Sequence, residues 1–228
     1  MKPIELLVDQ QIKRWELERK RPQETETAPI SPGPVITISR QRGSGGSVVA
    51  ERLAELTGFS HFNREIIDQI GLEMGAQKRL VESLDEATRS GFQLWVDGIF
   101  RGRIVDSSDY MQSLVKIIGT IINHGKAIVV GRGANFLATT PNVFNIRIIA
   151  DVAFRVDSLM KRRGLSRDEA AEEIETNDNQ RRKFIKNHFG RDIDDPAAYD
   201  LIVNSTNLDI DRISSLILGA YPLKVMKA

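Results

Sequence analysis

The chain contains no cysteine among its 228 residues, which excludes disulfide bonds and thiolate metal sites. No stretch approaches the roughly 20 apolar residues of a membrane-spanning helix, and the first residues lack the apolar core of a secretory signal. Lysine and arginine number 32, and aspartate and glutamate 31. A net charge of +1 gives no general attraction to nucleic acid or to membranes. We therefore expect a soluble, cytoplasmic protein that binds neither of them.

A short apolar segment followed by a glycine cluster is the most informative feature of the sequence. Residues 35–39 read as a strand, and an apolar pattern from Val48 to Leu56 reads as a helix that ends at Gly58. Backbone N–H groups converge in a turn of this kind, and the helix dipole adds partial positive charge. Arg40 and Arg42 bring two guanidinium groups to the same place. We predict a phosphate site here; the alternative is a turn that merely lets the helix pack on the strand. The predicted phosphate-binding turn comprises Gly43, Ser44, Gly45, Gly46 and Ser47.

This turn departs from the ordinary phosphate-loop pattern G-x-x-x-x-G-K-[ST]. Gly46 stands where the lysine is expected, and in the variant of this loop that ends G-K-G-T, Val48 stands where the magnesium-binding threonine is expected. Arginine is always charged and binds phosphate well, so either Arg40 or Arg42 would have to supply the missing charge. The hydroxyl group of Ser47, or else that of Ser44, would have to serve as the magnesium ligand.

The chain divides into three predicted parts. Residues 1–21 form an amphipathic helix, because apolar residues recur at helical spacing: Ile4, Val8, Ile12 and Trp15. Residues 22–34 are rich in proline and read as a linker, and residues 35–222 form the main domain. The apolar stripe of the N-terminal helix would either dock on the main domain or pair with a second copy in a homodimer.

Strand and helix patterns alternate through the main domain. The predicted strands are 35–39, 60–62, 127–131, 144–150 and 200–204, and the predicted helices are 47–56, 64–74, 110–123, 153–163, 167–185 and 210–220. Several of the strands are near-continuous apolar runs, which is typical of strands covered on both faces. The alternation predicts an α/β fold with a parallel sheet between layers of helices, and ligands at the carboxyl ends of the strands.

Five strings of residues resemble the cytidylate kinase-like branch of the P-loop nucleoside monophosphate kinases, over most of 35–218. They are ITISRQRGSGG, HFNREII, AIVVGRGANFL, FRVDSLMKRRG and DDPAAYDLIVNS. The resemblance implies a three-layer P-loop kinase fold and an enzyme that moves the γ-phosphoryl group of ATP, with Mg²⁺, to CMP, dCMP or a related small acceptor. The alternative is a nucleotide-binding, catalytically weak regulatory or interaction protein. Three absences favour this alternative: the loop lysine, the loop threonine and an acidic metal ligand after residues 127–131.

The resemblance also implies roles for individual residues. The glycine turn would wrap the donor β-phosphate, with Arg162 and Asn204 also on the nucleotide side. Asn63, Arg64, Arg132 and Arg182 would bind the acceptor, and Ser47 the metal. The residues expected to act in catalysis are Arg40, Arg42, Arg132 and Arg181.

Simpler interpretations stay open for several of these residues. Asn204 would then only end its strand, and two or three of the helical arginines would only be solvated: Arg155, Arg162, Arg163, Arg181 and Arg182. In cytidylate kinases proper, an aspartate follows the arginine that Arg132 matches, whereas here Gly133 follows it. Recognition of the cytidine group therefore needs another explanation.

Overall fold

Apolar segments form five strands in the described part of the chain: β1 (Val35–Arg40), β2 (Ser60–Phe62), β3 (Ala127–Val130), β4 (Val143–Ile149) and β5 (Leu201–Asn204). This computed structural model describes residues 4–19, 33–102, 104–106, 108–138 and 140–225. The strands are parallel and lie in the order β2-β3-β1-β4-β5. The predicted parallel sheet is confirmed, and each predicted strand agrees with the structure to within one residue at either end.

Helices connect the strands and flank them. They are α1 (Ile4–Arg19), α2 (Gly46–Thr57), α3 (Arg64–Leu72), α4 (Met74–Glu82), α5 (Glu86–Gly102), α6 (Asp109–His124), α7 (Ala134–Leu137), α8 (Val152–Arg163), α9 (Arg167–Phe189) and α10 (Ile210–Val225). All the predicted helices are present, whereas α4, α5 and α7 lie in segments for which no element is predicted. Across the described residues, no helix combines the length and the apolar composition that a membrane crossing needs.

The two faces of the sheet carry separate hydrophobic clusters, because alternate residues of a strand point to opposite sides. Val35 and Val129 face the cluster that contains α3, α4, α5 and α6. Ile36 and Ile38 face the cluster that contains α2 and α10. This is the predicted arrangement of helices on both faces of a parallel sheet. A third, smaller cluster joins α8 to α9 and stands apart from both: Val156, Leu159, Ala170 and Ile174.

The N-terminal helix packs on the main domain. Ile4, Val8 and Trp15 are buried and belong to the larger of the two sheet-face clusters. The indole ring of Trp15 stacks on the imidazole of His124, with 3.8 Å between the ring centroids. The apolar stripe of α1 therefore docks on the main domain, and a homodimer through this stripe is not supported. Apart from Gly33 and Pro34, the predicted linker lies outside the described residues, so the domain boundaries stay predictions.

Because α1 docks on the main domain, truncating its buried tryptophan should greatly reduce stability. Trp15→Ala should lower the free energy of unfolding by about 3–5 kcal/mol, because it removes a fully packed aromatic side chain. Leu17→Ala on the same helix is the matched control. Leu17 is 66% exposed, so its truncation should change the free energy by less than about 0.5 kcal/mol. Equal denaturant midpoints for the two variants would contradict the docking.

Candidate active site

The glycine turn joins the end of β1 to the start of α2. Gly45 adopts a left-handed conformation (φ 79°) at the N-cap, and no side chain caps the helix there. The hydroxyl group of Ser44 donates to the carbonyl oxygens of Gln41 (3.0 Å) and Ile148 (3.2 Å). Ser44 is therefore a brace inside the turn, while the exposed Ser47 faces the adjacent cavity. A helix start without a side-chain cap leaves backbone N–H groups for an anion.

A cavity of about 150 Å³ lies against this turn, and we call it the loop cavity. No carboxylate is among its lining residues. They include five arginines and four residues of the turn: Arg40, Arg42, Arg162, Arg163 and Arg181, with Gly43, Gly45, Gly46 and Ser47. Planar guanidinium groups bind phosphate oxygens in pairs of hydrogen bonds. The loop cavity is suited to a polyanion.

A second cavity of about 220 Å³ lies at the carboxyl edge of the sheet, and we call it the sheet-edge cavity. One part of its wall is cationic (Arg40, Arg64, Arg132, Arg181), and another is apolar (Phe184, Ile185, Ile193). Arg40 and Arg181 line both cavities. These two side chains therefore lie where the cavities meet.

Arg132 is held in place from two sides. Its backbone is left-handed (φ 55°), which is uncommon for a residue with a side chain. Its Nε donates to Oδ1 of Asp68 (2.6 Å), and its Nη2 bonds to the other carboxylate oxygen. The guanidinium carbon also lies 5.0 Å from the ring centre of Phe184. Asp68 is a site residue that the sequence analysis misses; its position four residues after Arg64 on α3 is the available signal.

Gly133 is required by its surroundings. Its φ of 69° lies in the left-handed region, and a Cβ atom there would overlap the ring of Phe189. An aspartate at this position, as expected from cytidylate kinases proper, would therefore clash with the core. The packing of Phe189 gives a physical reason for the departure from that pattern.

The helical hairpin of α8 and α9 is tied to the glycine turn by a partly buried carboxylate. Gly164 ends α8, and a capping box between Ser166 and Glu169 begins α9. Further along α9, Asp178 accepts the backbone N–H of Arg42 at 2.8 Å and Nη1 of Arg155 at 2.5 Å. Because Asp178 contacts both the turn and α8, it fixes the hairpin over the loop cavity.

A second carboxylate of α9 engages Arg42 itself. Glu173 accepts a hydrogen bond from Nε of Arg42 at 2.8 Å and another from Nη1 of Arg163 at 2.6 Å. The side chain of Arg42 therefore has a carboxylate partner within the chain, although it still lines the loop cavity.

Three predicted site residues make local contacts instead. Asn63 caps α3 by accepting the N–H of Ile66 at 2.9 Å. Arg182 donates to Asp194 at 3.2 Å and is not among the residues that line either cavity. Asn204 accepts both the N–H and the hydroxyl of Thr206 at the end of β5. These contacts agree with the simpler interpretation of Asn204 as a strand terminus.

Comparisons with known proteins fit this geometry. The model of the cytidylate kinase-like family matches residues 35–207. A cytidylate kinase of Thermoplasma volcanium is 26% identical over 191 residues, covering 81% of this chain and 89% of the relative. A cytidylate kinase of Pyrococcus horikoshii is 27% identical over 186 residues, covering 82% and 87%. The crystal structure of an uncharacterized protein from Eubacterium ventriosum is similar in fold, with a TM-score of 0.65 and 21% identity, covering 83% of this chain and 98% of that one.

The contacts of Asp178, which we call the clamp, predict that two ion pairs joining α8 to α9 contribute unequally to the free energy of unfolding. Asp178→Asn should lower the free energy of unfolding by about 3 kcal/mol, because it leaves the buried Arg155 without a charged partner. The side chains of this pair are only 13% and 8% exposed. Asp157→Asn is the matched control: its pair with Arg167 is 51% and 64% exposed and should contribute less than about 1 kcal/mol. Thermal unfolding measures both, and equal losses would contradict the clamp.

Proposed function

Because the chain belongs to the cytidylate kinase-like family, we propose that it transfers the γ-phosphoryl group of ATP to CMP, dCMP or a related small acceptor. The observation that carries this proposal is the meeting of the two cavities at Arg40 and Arg181. A cationic cavity at a glycine turn suits the donor polyphosphate. A cavity with both a cationic and an apolar wall suits an acceptor that has a phosphate at one end and a base at the other.

The transfer step places demands on the region between the cavities. An oxygen of the acceptor phosphate forms a bond to the γ-phosphorus, and the bond from that phosphorus to the oxygen shared with the β-phosphate breaks. ADP and the phosphorylated acceptor result. Negative charge spreads over the oxygens of the transferring group, so the protein acts mainly by positioning and by supplying positive charge. Arg40 and Arg181 are the side chains placed to do this.

Ser47 is the residue that would contribute to magnesium binding. It is exposed, lines the loop cavity and offers a hydroxyl oxygen. Among the described residues, no group of three histidine or acidic side chains is arranged around a metal position. Magnesium in kinase sites keeps several waters and uses substrate phosphates as ligands, so one protein oxygen is compatible with it. When bound, the ion neutralises charge on the phosphates.

The acceptor's base would contact the apolar wall of the sheet-edge cavity. Phe184 offers an aromatic face there, and the amides of Asn177 and Gln180 line the same cavity. Amide groups supply both a donor and an acceptor for the edge of a base. The names of the Thermoplasma and Pyrococcus relatives support a cytidine nucleotide as the first acceptor to test.

A catalytically weak nucleotide-binding protein is the competing function. The observation that favours it is the engagement of Arg42 by Glu173 and Asp178, which leaves the turn with less free positive charge than its sequence suggests.

The deciding experiment is an assay of ADP release from ATP and Mg²⁺ against a panel of nucleoside monophosphates and small metabolites, with calorimetry of ATP binding alongside. We expect turnover with CMP or dCMP. ATP binding without turnover on any acceptor would favour the competing function. No ATP binding would contradict both.

Two arginine substitutions should separate the roles of the two cavities. Arg64 lines only the sheet-edge cavity, and Arg162 lines only the loop cavity. Arg64→Gln should raise the KM for the acceptor about tenfold and leave the KM for ATP unchanged, because one charge-assisted contact is lost. Arg162→Gln should do the reverse, so each variant controls for the other. Equal effects of both variants on both substrates would contradict the assignment of donor and acceptor.

A further inference from the structure

The side chain of Arg40 runs through a channel made by two glycines. A Cβ atom on Gly46 would lie 2.6 Å from Cβ of Arg40, closer than real carbon atoms approach. A Cβ atom on Gly131 would overlap Nη1 of Arg40. Gly46 therefore makes room for the base of the side chain and Gly131 for its tip, so the guanidinium reaches from the end of β1 to the end of β3.

The guanidinium group of Arg40 lies among other cations. Its Nε atom is buried and has no hydrogen-bond partner among the described residues. Burial, and then the nearby charge of Arg181, lower the pKa of Arg40 to about 9, with smaller contributions from Arg64 and Arg132 and an opposing one from Glu65. A buried donor without a hydrogen-bond partner is costly, and such atoms are characteristic of functional sites. A ligand anion would supply the missing partner.

Arg42 is in a different position, although it is equally close to the turn in sequence. Glu173 binds its side chain, and Asp178 accepts its backbone N–H. Recruiting Arg42 to a phosphate would require breaking these bonds, whereas Arg40 has no such bond at Nε to break. Of the two arginines that could replace the loop lysine, Arg40 is the one available.

We infer that Arg40 takes the place of the missing loop lysine and contacts the phosphate groups at the junction of the two cavities. The inference rests on the proposed function for its catalytic consequence, since a cation at this junction would neutralise charge on the transferring phosphoryl group. It also accounts for Gly46, because a side chain of any kind at that position would displace Arg40. A lysine at position 46 and an arginine at position 40 exclude each other.

The first test compares Arg40→Met with Arg52→Met. Arg52 is the matched control, because it is a surface arginine that pairs with Asp211 (2.7 Å) and lines neither cavity. Arg40→Met should lower kcat by about 10³-fold, the effect of one arginine that stabilises charge on a transferring phosphoryl group. Its thermal midpoint should stay equal to that of the parent or rise, because a buried donor without a hydrogen-bond partner is removed. Arg52→Met should leave kcat unchanged.

A loss of thermal stability in Arg40→Met that matches its loss of activity would indicate a structural role and overturn the inference. Unchanged kinetics in an active parent would overturn it too.

The second test does not depend on turnover. Calorimetry with inorganic tripolyphosphate should show binding to the parent and to Arg52→Met, and at least about tenfold weaker binding to Arg40→Met, because a charge-assisted contact is lost. If the parent binds tripolyphosphate but phosphorylates no acceptor, the proposed function fails while loss of binding in Arg40→Met still supports Arg40 as the phosphate contact. Parent-like affinity in Arg40→Met overturns the assignment of Arg40 alone.

Moving the cation from position 40 to position 46 tests the role of Arg40 most directly. Removing the Arg40 side chain frees the space beside residue 46, so the double variant Arg40→Gly with Gly46→Lys can place a lysine in the ordinary position. Tripolyphosphate affinity should fall in Arg40→Gly and return to within about tenfold of the parent in the double variant. A folded double variant that binds no better than Arg40→Gly would contradict the exchange. If the double variant does not fold, the tripolyphosphate affinity of Arg40→Met alone decides whether Arg40 contacts phosphate.

Discussion

The concentration of arginine side chains at the carboxyl edge of a parallel sheet is the constraint on which the rest of this structure depends. Parallel strands end at the same edge, so Arg40 at the end of β1 and Arg132 after β3 are brought together whatever their separation in sequence. Their charges repel, and burial makes each charge more costly. Carboxylates or ligand anions that offset this cost stabilise the fold. The elements around the edge are arranged to supply the carboxylates.

Two arginines of the site each pair with an acid from a different element. Arg155 on α8 is bound by Asp178 of α9, and Asp68 of α3 binds Arg132 in a bidentate pair. These bonds also fix geometry: they orient Arg132 beside Phe184 and hold the α8–α9 hairpin over the turn. Charge balance and the positioning of the site are therefore achieved by the same contacts. A change to one of the acids should affect both stability and substrate binding.

The sequence predicts the five parallel strands, because several of them are near-continuous apolar runs, but it does not predict their order in the sheet. It does not predict α5, although Phe92, Val96 and Ile99 recur at helical spacing, since three glycines interrupt the segment. Several cationic groups of the site are predictable because they end or follow a strand or begin a helix, as Arg40, Arg132 and Arg64 do. Their partners are not, since Asp68 lies 64 residues from Arg132 and Asp178 lies 136 residues from Arg42. Such pairs depend on packing between elements, which local patterns do not contain.

The missing lysine of the phosphate loop shows the difference between a motif and the chemistry it represents. A sequence motif specifies a residue at one position in the chain, whereas phosphoryl transfer requires a cation at one position in space. In this fold the end of β1 lies directly beside the start of α2, so a residue on either element can reach the same point. The Cβ atoms of residues 40 and 46 cannot occupy that space together. An arginine at the strand end therefore requires a glycine in the loop, and the sequence departure that suggests lost activity is also the condition for placing a different cation at the site.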